Sequence, residues 1–76
     1  MTQERARAYR TVCKVLADAR TEADLTQRGL SEMLKRPHSY VGKIEGGERR
    51  VDVVEFIELA RALNVDPVKL FARLVE

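Results

Sequence analysis

Tryptophan is absent from this 76-residue chain, cysteine occurs once, and proline only twice. Each shortage excludes something. A single thiol, Cys13, cannot close an internal disulfide and suits a reducing cytosol. With two tyrosines and two phenylalanines as the only aromatics, the interior has to be aliphatic. One histidine and one cysteine cannot assemble a Cys/His zinc site. No apolar run has the length of a membrane span or a signal-peptide core. The expectation is a cytoplasmic protein with no metal, no cofactor and no small-molecule ligand. At this size there is room for one core, hence one domain over 1–76.

Catalytic constellations are missing too, and no enzyme is expected. Gly42-Lys43 has the look of the end of a phosphate-binding loop, but that motif needs glycine at position 37, which is Pro37. Cys13 lies on an apolar stripe and reads as a small hydrophobe.

What remains is helical. Apolar residues recur every three or four positions, which predicts an all-α chain of five short helices at about 3–22, 27–34, 37–45, 53–63 and 67–75. Tyr9, Val12, Cys13, Leu16 and Ala17 line the first. Thr26 is an N-cap for the second, whose inner stripe is Leu30, Met33 and Leu34. Pro37 fits the first turn of the third, where its missing N–H costs nothing. Val41 and Ile44 face inward there, and Gly46-Gly47 close it. Asp52 caps the fourth, Asn64 follows its end, and Asp66-Pro67 opens the fifth.

Charge is unevenly spread. Residues 28–50 carry six basic against three acidic side chains, whereas residues 51–76 carry three against five. Such a basic centre is either an anion-binding surface or an ordinary solvated face. The stretch KRPHSYVGKIEGGERR (35–50) holds five of the fourteen basic residues. Two short helices joined by a tight turn, the second with a polar outer face, suit insertion into a major groove ~12 Å wide. His38, Ser39 and Lys43 then lie where base edges are reached. Gly42 keeps that face low, and Arg36, Arg49 and Arg50 are placed for phosphates.

The run from Leu25 to Leu70 resembles the lambda-repressor-like (XRE, or Cro/C1-type) helix-turn-helix family. The resemblance rests on Leu25-Thr26-Gln27, Val41-x-Lys43-Ile44-Glu45-x-Gly47 and Leu59-Ala60-Arg61-Ala62-Leu63 at their joint spacing. Small restriction–modification controllers and phage repressors share this build. It implies a transcriptional regulator of double-stranded DNA, with Gln27 at a phosphate and bracing the first recognition-helix residue. It further implies His38, Ser39 and Lys43 at bases, Arg49 at the backbone, and a structural ion pair between Arg20 and Glu45. Ser31 stands where the family usually has alanine, so its hydroxyl must bond the preceding turn. Asp24 and Lys35 replace customary turn glycines, and Gly29 replaces the glutamate of a capping box.

Three points stay open at this level. Tyr40 can reach a phosphate or thymine methyl, or simply cover apolar surface. Val68, Phe71 and Val75 exceed what one helix stripe buries, and form either a homodimer interface or a wrap for the monomer core. The alternative to DNA binding is a domain of this fold that docks a partner protein.

Overall fold

The computed structural model describes residues 2–76, which form five helices and no strand. In chain order these are α1 (Gln3–Glu22), α2 (Gln27–Met33), α3 (Tyr40–Glu45), α4 (Val53–Ala62) and α5 (Pro67–Val75). Their starts follow from short polar side chains. Thr2, Thr26, Asp52 and Asp66 each accept a first-turn backbone N–H of α1, α2, α4 and α5. Those bonds satisfy amides that a helix start leaves without intrahelical partners.

The ends of α1 to α4 share one device. At Asp24, Lys35, Gly47 and Asn64 the chain takes positive φ of 58°, 57°, 80° and 58°. The amide of that residue and the next then fold back, as in Lys35 N–H to Glu32 O and Arg36 N–H to Ser31 O, both at 3.0 Å. This is the Schellman closure, and three of the four positions hold a residue with a Cβ. Asn64 tolerates the left-handed conformation well. Lys35 holds nearly the same φ with a long side chain that, unlike Asn or Asp, is not of a type that favours it,.

The core is aliphatic, apart from one tyrosine. Leu16, Leu30, Ile44, Leu59, Leu63 and Leu70 are all buried at its centre. Ser31 is also fully buried, and both its hydrogen bonds are made inside. Its Oγ donates to Gln27 O at 2.8 Å and accepts from Val41 N–H at 3.1 Å. The Cys13 thiol donates to Ile44 O at 3.3 Å, tying α1 to the end of α3, and burial pushes its pKa up.

Two expectations are corrected. The third helix begins at Tyr40 rather than at position 37; residues 37–40 form a single turn closed by Tyr40 N–H to Pro37 O at 2.9 Å. An α-helix starting at Pro37 would need Val41 N–H for Pro37 O, and Ser31 Oγ takes that donor. Met33, expected inside, is 52% exposed. The Ser31–Val41 bond draws α3 to the Ser31 side of α2, so the buried face is Leu30, Ser31 and part of Leu34. Smaller differences fall at helix ends, where Leu34 and Leu63 are C-caps rather than final residues.

Leu70 and Leu74 close α5 against the core, and Val68, Phe71 and Val75 stand 77%, 55% and 72% exposed. Phe71 meets Phe56 edge to face, with ring centroids 6.2 Å apart. Beside them Val12, Val51, Val53 and Leu74 complete an apolar cleft of about 180 Å³. Among the described residues no helix is long and apolar enough to cross a membrane.

Candidate nucleic-acid interface

The short α3 is fixed from three directions, which leaves one face outward. Val41 and Ile44 anchor it in the core. Its far end is held by Glu45, whose carboxylate accepts Arg20 Nε at 2.7 Å, Arg20 Nη2 at 3.2 Å and Gln27 Nε2 at 2.8 Å. Arg20 also donates to Leu25 O at 2.7 Å, so one guanidinium ties α1, the α1–α2 turn and α3 together. That hydrogen bond to Glu45 is the main reason the Arg20 pKa is raised.

Gln27 therefore braces the last residue of α3, not the first. It reaches Glu45 across Gly42, where an added Cβ would lie 3.1 Å from Gln27 Oε1. The glycine that the sequence places on an approach surface for DNA is the seat of this side chain. Gln27 remains exposed at the first position of α2.

His38, Ser39 and Lys43 are all exposed, on the side of α3 away from Val41 and Ile44. His38 and Ser39 belong to the turn before the helix, with Ser39 as its N-cap residue. His38 Nε2 lies 3.2 Å from Glu32 Oε1 on α2. The shorter helix keeps these groups together because the 37–40 turn is itself helical in sense.

Of the two readings open for Tyr40, the structure favours cover over contact with phosphate or base. Its side chain is buried, the residue only 5% exposed, and burial followed by the nearby Glu55 charge raises its pKa. Its ring instead carries two guanidiniums, those of Arg36 and Arg49, each 4.9 Å from the ring centroid. Both also converge on Glu55. Arg49 Nη1 and Nη2 donate to its two carboxylate oxygens at 3.3 and 3.0 Å, and Arg36 Nη2 stands 3.6 Å away. The Asp52 N–H, to which Glu55 is bonded in a capping box, lowers its pKa most, and Arg49 adds to that; desolvation opposes them.

Arg36, Pro37, Ser39, Tyr40, Lys43 and Arg49 line one open cleft of about 250 Å³. Arg50 is elsewhere: its guanidinium lies over the Tyr9 ring at 5.4 Å, against α1. The Tyr9 hydroxyl donates to Arg49 O at 3.0 Å and so pins the loop from which Arg49 projects.

Sequence reasoning missed Glu55 and Tyr9 as organisers of this surface. Asp52-x-x-Glu55 is a legible capping-box spacing, but nothing in it announces two arginine partners. The Tyr9 bond spans 40 residues and has no local signal.

Similarity to known proteins agrees with this geometry. A helix-turn-helix family model matches residues 16–70. An XRE-family like protein from Pseudomonas syringae pv. tomato str. DC3000 superposes with a TM-score of 0.85 at 38% identity, covering 92% of this chain and 85% of that one. The restriction-modification controller protein C.AhdI from Aeromonas hydrophila gives 0.74 at 35% identity, covering 87% and 98%. No curated protein matches the chain.

Proposed function

The chain belongs to the XRE-type helix-turn-helix family, and from that premise we propose that it is a sequence-specific transcriptional regulator of double-stranded DNA. Residues 1–76 act as one DNA-binding domain, in the cytoplasm and without catalytic activity. In this reading α3 and the turn before it enter the major groove, with His38, Ser39 and Lys43 at base edges. Gln27 and the arginines Arg36, Arg49 and Arg50 meet phosphates at the groove rims. The observation that carries the reading is the exposure of His38, Ser39 and Lys43 opposite a buried Val41 and Ile44, bordered by Arg36 and Arg49. A groove of ~12 Å admits one helix so flanked.

The protein acts as a homodimer in this proposal, joined through Val68, Phe71 and Val75 of α5. Twofold pairing buries the same apolar patch from both copies and sets two recognition helices about 34 Å apart, so the operator is an inverted repeat. Similarity to a restriction-modification controller supports a regulatory role. A duplex-binding titration over a salt series tests the function: affinity should fall steeply with salt as counterions are released. Salt-insensitive capture of a partner protein, with no duplex retained, would instead support a protein-docking module.

A further inference from the structure

Arg36 and Arg49 come from opposite sides of α3, thirteen positions apart in sequence, yet they face the same ring and the same carboxylate. Two guanidiniums so close repel each other, and a structure holds them together only if something offsets the repulsion. Here two groups do. The Tyr40 ring, negative over its π-system, lies 4.9 Å by centroid from each of them,. Glu55, its side chain 9% exposed, accepts two hydrogen bonds from Arg49 and stands 3.6 Å from Arg36 Nη2. Glu58 adds a distant contact to Arg36 at 4.0 Å from an exposed position.

The donors are not exhausted. A guanidinium has five N–H groups. Arg49 uses both protons of Nη1, on Arg50 O and Glu55 Oε1, and one of Nη2. Its Nε–H and the second Nη2–H remain. Arg36 makes only the two long contacts at 3.6 and 4.0 Å, so its fork is almost entirely free. Both arginines are a little over a third exposed and open onto the cleft that Ser39 and Lys43 also line. Arg36, Lys43 and Arg49 outweigh the Glu55 carboxylate and the distant, exposed Glu58. What enters meets guanidinium edges and a positive field. Paired guanidiniums around a small open cleft match a phosphate, whose oxygens take several charge-assisted hydrogen bonds at once.

We propose that Arg36 and Arg49 form a single phosphate-binding cleft, floored by Tyr40 and positioned by Glu55, that takes one backbone phosphate of bound duplex. This rests on the DNA-binding reading and sharpens it: the two arginines share one phosphate instead of gripping two. Glu55 is a positioning residue that never touches DNA. Lys43, at the cleft rim, reaches past the phosphate to the base edge.

The test is a methylphosphonate scan of a bound duplex, in which one phosphate at a time is made neutral, against wild type and the variants Arg36→Ala, Arg49→Ala and Lys43→Ala. One position per half-site should cost wild type roughly ten- to hundredfold in affinity. On that duplex Arg36→Ala and Arg49→Ala should both lose nothing further, while Lys43→Ala still weakens binding. The double variant Arg36→Ala/Arg49→Ala should lower the salt slope by about 0.9, the contribution of one phosphate, and not by about 1.8. Glu55→Gln should shrink the methylphosphonate effect at that one position while leaving the others unchanged, which a general loss of stability would not do. Silencing of the two arginines at different positions, or at none, overturns the shared site while DNA binding stands. Failure of wild type to retain any duplex overturns both.

Discussion

Arg20 and Glu45, 25 residues apart, meet at 2.7 Å with side chains only 17% and 8% exposed. A carboxylate at the last position of a helix opposes the helix dipole, and Glu45 is stabilised there by the guanidinium and by Gln27. Removing one partner of a buried pair leaves the other charge uncompensated, which costs about 3–5 kcal/mol. Glu45→Ala should therefore lower the unfolding free energy, read from urea titration, by that much. A change of a few tenths would mean that water replaces the pair without loss.

Lys35 holds φ 57° at the end of α2. Replacing it by glycine relieves the left-handed strain, and the added freedom of glycine in the unfolded chain takes back part of the gain. Lys35→Gly should raise stability by about 0.5–1 kcal/mol, read from urea unfolding. A loss would show that the lysine side chain makes a compensating contribution.

Glu55 sets a pH dependence. Its carboxyl titrates below its ordinary value because Asp52 N–H and Arg49 favour the charged form. A lowered folded pKa contributes stability that is fully present above the unfolded value and is lost as pH falls through the folded one. The stability gap between wild type and Glu55→Gln should thus be constant near neutrality and close below about pH 4.3, the usual glutamate value. Urea midpoints of the two proteins across the acid range measure it, and a gap that persisted or widened in acid would contradict the assignment.

Phe71 is 55% exposed beside Val68 and Val75. If α5 is the twofold interface, Phe71→Asp places a charge where two apolar patches meet and should convert the dimer to monomer. Sedimentation at tens of micromolar decides it. A monomeric wild type, or a variant that remains dimeric, would remove α5 from that role and leave DNA binding to stand alone.

Local signals in the sequence went a long way. Caps at Thr26, Asp52 and Asp66-Pro67, apolar spacing, and closure at Gly47 and Asn64 together lay out the five helices. The same periodicity marks Val68, Phe71 and Val75 as more than one stripe of α5 buries, and these three stand out. The start of α3 was not legible, because it depends on Ser31 Oγ taking Val41 N–H from another helix. Met33 was misplaced for the same reason, since the side of α2 that is buried follows from where α3 docks. At the candidate site the exposed His38, Ser39 and Lys43 were readable from helix geometry. Tyr40 was not: its two alternatives differ only in whether Arg36 and Arg49 cover it, and Glu55, which holds both, is read locally as no more than a helix-start glutamate.

In the proposed function, base preference resides in the turn and helix 38–43 while the flanking arginines grip the backbone. Selection from a random duplex pool, run in parallel with wild type, Lys43→Ala and Arg49→Ala, tests it most directly. Wild type should enrich an inverted repeat. Lys43→Ala should lose preference at particular positions of that repeat, worth about 1–3 kcal/mol each. Arg49→Ala should enrich the same repeat with uniformly weaker binding. An unchanged motif with Lys43→Ala, or no enriched motif with wild type, would contradict the account.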